Sequence, residues 1–169
     1  YVNVFSNALA FAALKSDGSI TGWGYSTNGG SDAPTDSGYV NIFSTNNTFG
    51  AFAALKADGS ITAWGNSSYG GSNAPSSVTN ANSGVVNVFS NSDAFAALKS
   101  DGSITAWGDS SHGGSNAPTD SGYVNIVGTD NAFAALKEDG SISVWGSEYY
   151  GGTGAPTRGT YVNVFSNKY

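Results

Sequence analysis

The chain has 169 residues, of which only 11% are charged, and it carries a net charge of −6. With six basic residues, among them the single arginine Arg158, it lacks the clustered positive charge that nucleic acids and anionic membranes attract, so neither is expected as a partner. The absence of cysteine excludes disulfides and thiolate metal sites. No apolar run approaches the length of a membrane span, so no membrane insertion is expected. The lack of methionine predicts a piece of a longer protein.

A repeated unit organises the whole chain. Four repeats, 1–38, 39–84, 85–122 and 123–160, and a partial fifth, 161–169, are interpreted as one repeat domain. Repeat two is longer because of insertions in its first turn and in its tail, within 76–83. The fifth repeat opens with YVNVFSN, which is identical to residues 1–7.

Each repeat predicts three strands in chain order. The first strand alternates, with Val2 and Val4 on one face and Tyr1 and Phe5 on the other. The same alternation is expected at Val40/Ile42, Val86/Val88, Val124/Ile126 and Val162/Val164. The second and third strands, AFAALK and SITAWG or close variants, are separated by Asp-Gly, which is a strong hairpin signal. A tail with Gly-Gly and Ala-Pro follows and is predicted to be a loop.

Small residues in the second strand predict close packing between neighbouring repeats. Ala12 and Ala13 form an alanine pair that recurs in every repeat. Leu14 and Ile20, which also recur, are expected to be the larger core residues. A three-stranded meander cannot cover both of its faces alone, so neighbouring units must do so. The predicted fold is all-β, with tandem repeats of three-stranded antiparallel meanders in a propeller-like arrangement with short blades. A stacked β-solenoid or an open array is the alternative.

Residues 97–108, ALKSDGSITAWG, resemble the repeat of the regulator of chromosome condensation family, and the likeness covers the centre of all four repeats. The resemblance implies β-propeller blades. In their short tandem form the repeats are similar to arrays in large bacterial surface proteins. They are shorter than the family's blade and fewer than its closed ring contains. Guanine-nucleotide exchange and chromatin binding are not implied, because no exchange residues match and the chain is acidic.

The polar motifs are interpreted as structural rather than catalytic. The aspartates at 17, 58, 101 and 139 each precede a glycine, and a hairpin turn accounts for them better than calcium or acid–base chemistry. The lone His112 lies in a column that varies between repeats. The Gly-Gly loops mostly lack the aspartate of calcium-binding nonapeptides, and a proline intervenes. No metal, cofactor or catalytic set is expected, and the chain is predicted not to be an enzyme.

Aromatic residues and duplicated strands provide the functional candidates. The recurring tryptophans are interpreted as core plugs at strand ends. Candidate ligand-binding loop residues are Tyr25, Asn28, Tyr69, His112, Tyr149 and Tyr150. Candidate assembly strands contain Tyr1, Val2, Val4, Phe5, Tyr161, Val162, Val164 and Phe165.

Two functions follow from these candidates. The first is a non-enzymatic extracellular or cell-surface module with a structural or adhesive role that assembles end to end into a fibre. Its partners would be further copies or neighbouring repeats. The alternative is a carbohydrate- or protein-binding module that uses the Tyr- and Asn-rich loops to hold a glycan or surface protein.

Overall fold

The computed structural model describes residues 1–156 and 159–167; Thr157, Arg158, Lys168 and Tyr169, which fall in predicted repeats four and five, lie outside the described residues. Four separate three-stranded antiparallel sheets form in this part of the chain, and in each sheet the strands lie in sequence order. The strands are β1 (Asn3–Ser6), β2 (Ala10–Leu14), β3 (Ile20–Gly24), β4 (Tyr39–Ser44), β5 (Ala51–Lys56), β6 (Ile61–Gly65), β7 (Val85–Ser90), β8 (Ala94–Lys99), β9 (Ile104–Gly108), β10 (Tyr123–Gly128), β11 (Ala132–Lys137) and β12 (Ile142–Gly146). The predicted all-β class and three-stranded meanders are confirmed. We refer to the four predicted repeats, each of which holds one sheet, as units 1 to 4.

Short turns order much of what the sequence predicts as loop. A 3₁₀ turn follows the third strand of every unit, at Ser26–Asn28, Ser67–Tyr69, Ser110–His112 and Glu148–Tyr150. The tail insertion of unit 2 forms a single helical turn, α1 (Ser76–Thr79). The Asp-Gly hairpins form as predicted: Asp17 Oδ1 accepts hydrogen bonds from the Ser19 backbone N–H and hydroxyl, at 2.9 and 2.7 Å, and the other three units repeat this arrangement.

The first strands depart from the predicted alternation. A register shift between Tyr39 and Asn41 inserts one residue into β4, and equivalent shifts occur in β7 and β10. Such a bulge rotates the following side chains to the other face of the strand. Val40 is therefore 54% exposed while Ile42 is 2% exposed, so the prediction that they share a face is wrong. Tyr39 and Ile42 point together into the core instead.

The hydrophobic core lies between units rather than within them. One face of unit 1, with Ala10, Ala12 and Leu14, packs against the opposite face of unit 2, which includes Phe52 and Trp64. Two further clusters, built from corresponding positions, lie between units 2 and 3 and between units 3 and 4. All of the clustered alanines are buried, which allows consecutive sheets to approach closely. The prediction that neighbouring units cover each other's faces is confirmed.

The junction between units 2 and 3 shows how the tail insertion is used. Tyr39 and Tyr123 fill corresponding places in the other two clusters, whereas unit 3 has the smaller Val85 there. Val78, from α1, is completely buried in the same cluster as Val85. Its side chain adds apolar volume where the tyrosine ring is missing. The insertion, which the sequence assigned to a loop, thus contributes to the core.

A polar cluster closes two of the junctions beside these tyrosines. The Tyr39 hydroxyl donates to Asp36 Oδ1 at 2.7 Å, and Lys56 pairs with Asp36 while its Nζ lies 5.0 Å from the Tyr39 ring centroid. Burial raises the pKa of Tyr39 to about 12. The nearby Asp36 adds to this shift, and the hydrogen bond with Thr62 opposes it. Hydrogen bonds from Lys56 and Tyr39 lower the pKa of Asp36. Tyr123, Asp120 and Lys137 repeat the cluster at the junction between units 3 and 4.

Candidate assembly interface

A stacked aromatic pair and a glycine-ended turn make the contact between consecutive units. The rings of Phe52 and Trp64 stack with centroids 5.2 Å apart, and the indole N–H of Trp64 donates to the carbonyl of Gly29 in the preceding unit at 3.1 Å. Gly29 ends the 3₁₀ turn with φ of 95°, and a Cβ there would lie 2.8 Å from Phe52 Cδ2. Glycine is therefore required by both conformation and space. Trp107 and Trp145 make the same bond to Gly70 and Gly113.

The 3₁₀ turn is tied to its own unit by a side chain from the first turn. The Asn7 amide donates to the carbonyl of Asn28 at 2.8 Å, while its Oδ1 accepts from the backbone N–H of Leu9 and Ala10. Asn91 and Thr129 make the equivalent links in units 3 and 4. Asn28, a candidate ligand residue, is completely buried, and its amide donates to Thr48 O at 2.8 Å. Its side chain is consequently inaccessible to a ligand.

Unit 1 exposes the aromatic half of this contact. Within the 169 residues no unit precedes it, and Trp23 is 45% exposed where Trp64 is 4% exposed. Phe11 is equally exposed, yet the Phe11–Trp23 pair keeps the stacked geometry, with centroids 5.4 Å apart. The predicted burial of the tryptophans is confirmed for Trp64, Trp107 and Trp145 and is wrong for Trp23. We call the exposed Phe11, Trp23 and Val4 the open face of unit 1.

Unit 4 exposes the turn half. Among the described residues, no atom lies within 4 Å of the Cβ position of Gly151, whereas the equivalent glycines 29, 70 and 113 each contact a Phe–Trp pair. Tyr150 is 61% exposed, but its counterpart Tyr69 is half-buried against the cluster between units 2 and 3. Tyr149 is 94% exposed, and its counterpart Ser68 is exposed as well. We call Tyr150 and Gly151 the open turn of unit 4.

The candidate assembly strands lie beside these two surfaces. Tyr1, Val2 and Val4 are exposed on unit 1, while Phe5 packs against the cluster between units 1 and 2. At the far side, Tyr161 N–H donates to Gly140 O at 3.0 Å. Residues 161–167 join no sheet of the described part of the chain, and of their apolar side chains Tyr161, Val162 and Phe165 are exposed and Val164 is half-buried.

His112 belongs to a local polar cluster. Its Nδ1 lies 3.1 Å from Asp109 Oδ1 and 3.6 Å from Oδ2 of the buried Asp93, which also accepts the amide of Asn47. Burial raises the pKa of Asp109, but hydrogen bonds from Ser111 and the nearby His112 outweigh it and hold that pKa below its usual value. The residues described contain no group of three or more acidic or histidine side chains arranged to hold a metal ion.

The sequence singled out the duplicated strands but missed Phe11, Trp23 and Gly151. The sequence held a signal for them: a Gly-Gly turn of the preceding unit stands ahead of Trp64, Trp107 and Trp145, whereas none stands ahead of Trp23 in these residues. In the structure that turn accepts the indole N–H of each of the three. Tyr25, the remaining loop candidate, follows Trp23 closely in the chain and is exposed. No helix in the described part of the chain is long and apolar enough to span a membrane.

Comparison with known proteins identifies the fold. No family model and no curated protein matches the chain. The ectodomain of the Physcomitrella patens receptor kinase CR4 matches 85% of it with a TM-score of 0.61 and 19% identity, over 38% of that structure. The CRINKLY WD40 ectodomain of Arabidopsis thaliana ACR4 matches 93%, with a TM-score of 0.61 and 19% identity, over 52% of its own length. Yeast RCC1 (Prp20), solved bound to Kap60, matches 85% with a TM-score of 0.58 and 16% identity, over 42% of its length.

These solved structures are longer, and the chain spans between 38% and 52% of each. At identities of 16% to 19% the likeness establishes architecture. The four sheets, packed face to face through their Phe–Trp pairs, are therefore propeller-type repeats with the fold of RCC1-like proteins.

Proposed function

We propose that the chain is a non-enzymatic structural or adhesive module, outside the cell or on its surface, that assembles end to end into a fibre. One observation carries this proposal. The open face of unit 1 and the open turn of unit 4 are the two halves of a contact that the chain makes three times internally. A second copy of the chain would bring these halves together.

The open face of unit 1 is organised for binding before any partner arrives. The Phe11–Trp23 stack differs by only 0.2 Å in centroid distance from the covered Phe52–Trp64 stack (5.4 against 5.2 Å). Because the two rings are already stacked, ordering them costs little conformational entropy on docking. A contact between two different surfaces of one molecule joins copies head to tail, and it forms a fibre unless the rotation closes a ring.

The composition supports the proposed location outside the cell. The chain contains no cysteine and builds its polar surface from Ser, Thr, Asn and Gly rather than from charge. Its short tandem repeats are similar to those of large bacterial surface proteins. The non-enzymatic assignment rests on the residues that recur in every unit, since the stack, the hairpin turns and the glycines each have a structural contact.

Sedimentation velocity over a range of concentrations, with electron microscopy of the same samples, tests the proposal. The wild-type chain should form concentration-dependent oligomers and filaments. Tyr150→Ala should weaken association by about tenfold or more, because its counterpart Tyr69 is packed inside a junction. Tyr149→Ala is the matched control and should leave association unchanged. A chain that stays monomeric at all concentrations would overturn the proposal, and small closed rings would overturn the fibre while retaining the contact.

A binding module is the second candidate function. Tyr25 and Tyr149 are exposed, and a cavity of about 250 Å³ is lined by Thr129, Asp130, Asn131, Tyr150 and Asn167. Aromatic rings beside amide side chains suit a sugar ring or a protein loop. The yeast RCC1 structure contains a protein partner, Kap60, which supports the protein class of ligand. Glycan-array or protein binding that is lost in Tyr149→Ala would favour this function, because that variant leaves the proposed junction intact.

A further inference from the structure

Residues 161–167 lie on unit 4 as the first strands lie on the units before them. The Tyr161 N–H donates to the carbonyl of Gly140, in the hairpin turn of unit 4, at 3.0 Å. Tyr39 and Tyr123 make the same bond to Gly18 and Gly102, at 3.1 and 3.0 Å. The segment therefore enters on the path that leads into a fifth unit.

The segment also makes a local hydrogen bond that every paired first strand makes. In each of the four units an asparagine side chain in this strand accepts a hydrogen bond from the next backbone N–H at 2.9 Å, as Asn41 does from Ile42. Asn163 accepts the same bond from Val164 at 2.9 Å. Val164 is already half-buried, and its counterparts Ile42, Val88 and Ile126 are core residues. This local hydrogen bond of the first strands is thus present although residues 161–167 join no sheet among the described residues.

The sheet position that this segment fits is occupied in unit 1 by an identical sequence. Residues 1–7 read YVNVFSN, as residues 161–167 do, and β1 pairs with β2 through Val4↔Ala13 and Phe5↔Ala12. When unit 4 of one copy meets unit 1 of another, residues 161–167 of the first copy and residues 1–7 of the second require the same place beside β2. Both cannot occupy it.

We propose that the copies join by strand exchange: residues 161–167 of one copy replace residues 1–7 of the next and pair with its β2. This inference rests on the end-to-end assembly proposed above and specifies its joint. The joint would be a hybrid unit with its first strand from one copy and its second and third strands from the other. It would reproduce the connection inside the chain, where each first strand continues directly from the preceding unit.

The exchange is close to neutral in the contacts with β2, because the incoming and departing strands have the same sequence. What is gained is the burial of Trp23, Phe11 and Val164, which are all at least partly exposed in the single chain. Apolar burial stabilises by about 25 cal/mol per Å². The entropy lost on association and the free energy needed to release residues 1–7 oppose this stabilisation. Exchange of an identical element in this way is a low-cost route to assembly.

A reversible lock on residues 1–7 tests the exchange. The Asn7 N–H donates to the carbonyl of Ala10, so these two residues form a hydrogen-bonded pair. Hydrogen-bonded and non-hydrogen-bonded pairs alternate along an antiparallel ladder. Val4 and Ala13, three pairs further along, therefore form a non-hydrogen-bonded pair. Such pairs have Cα atoms close enough for a disulfide. The chain has no cysteine of its own, so Val4→Cys with Ala13→Cys should form one intramolecular bond. Under oxidising conditions this lock should weaken assembly by about tenfold or more, and reductant should restore it.

Cross-linking two singly substituted chains gives an independent measurement. Ala13→Cys mixed with Val164→Cys should form a disulfide-linked heterodimer, because exchange places residue 164 where Val4 stands. Ala13→Cys mixed with Val162→Cys is the control and should not cross-link, since the counterpart Val40 points away from the junction.

The outcomes separate the exchange from the assembly itself. If the oxidised lock assembles as well as the reduced protein and the 13–164 pair does not cross-link, the exchange is overturned while end-to-end assembly stands. If neither the wild-type chain nor the reduced variant assembles, both proposals are overturned. Assembly that is lost on oxidation, restored by reductant and accompanied by the 13–164 cross-link supports the exchange.

Discussion

Trp64 and Trp23 occupy the same position in consecutive repeats, but only Trp64 is covered by a preceding unit. Trp64 is 4% exposed, stacks on Phe52 and bonds to Gly29 of the preceding unit. Trp23 keeps the stack but is 45% exposed. The stack is therefore a property of a single hairpin, whereas burial of the tryptophan depends on a neighbouring unit. In such arrays stability is close to a sum of repeat terms and interface terms, and only the interface term differs between these two residues.

The largest expected effect compares Trp64→Ala with Trp23→Ala. Removing Trp64 empties part of a junction and leaves Gly29 O without its donor, so the free energy of unfolding should fall by about 3–5 kcal/mol. Trp23→Ala should cost about 1 kcal/mol or less in the monomer. Urea unfolding at a protein concentration below the onset of assembly measures both values. Equal losses would mean that the interface contributes little to tryptophan burial energy.

The glycines that end the 3₁₀ turns allow the clash at a junction to be separated from backbone strain. Gly70 and Gly151 have φ values of 98° and 101°, so alanine at either position carries strain of about 1–3 kcal/mol. A Cβ on Gly70 would also lie 2.8 Å from Phe95 Cδ2, while Gly151 has open space. Gly70→Ala should therefore destabilise by about 1–3 kcal/mol more than Gly151→Ala.

Thermal unfolding of these two variants measures the difference. Gly151→Ala should in addition weaken assembly, because the added methyl group would meet the Phe11–Trp23 stack of the next copy. If it assembles like the wild type, the open turn of unit 4 does not make the proposed contact.

Acid should produce a smaller and broader loss of stability. Hydrogen bonds from Lys56 and Tyr39 lower the pKa of Asp36, and those from Ser19 lower the pKa of Asp17. A carboxylate whose folded pKa is lowered stabilises the fold above its unfolded value, and that stability is lost as pH falls through the folded pKa. Unfolding free energy should therefore decline as pH falls below 3.8, the ordinary value for both groups.

Asp36→Asn provides the control for this acid effect. The variant should lose stability at neutral pH and show a shallower decline in acid, because one of the titrating groups has been removed. An unchanged acid profile would mean that the cluster of Asp36, Tyr39 and Lys56 does not couple to folding. Chemical denaturation at pH 7 and at pH 3 measures the comparison.

Local patterns in the sequence predicted the strands and hairpins correctly because the forces behind them act over a few residues. Asp-Gly specifies a hairpin through a turn that Ser19 and Asp17 complete between themselves. The alternation of the first strand failed as a guide, because the bulge after Tyr39 places Val40 outside and Ile42 inside. The core needs both Tyr39 and Ile42 from one strand, and a strict two-residue period cannot supply that.

The sequence by itself determined the unit, its three strands, its turns and the fact that units must cover one another. Only the tertiary structure decided what each copy of a residue does. Val78 became a core residue because Val85 leaves space in its junction, and Asn28 became inaccessible because Thr48 and Asn7 bind it from two sides. Trp23 and Gly151 became the candidate interface because the contacts that cover their counterparts come from other units. Burial in a repeat protein is decided by neighbours that are distant in the chain, and no local pattern records which of them are present.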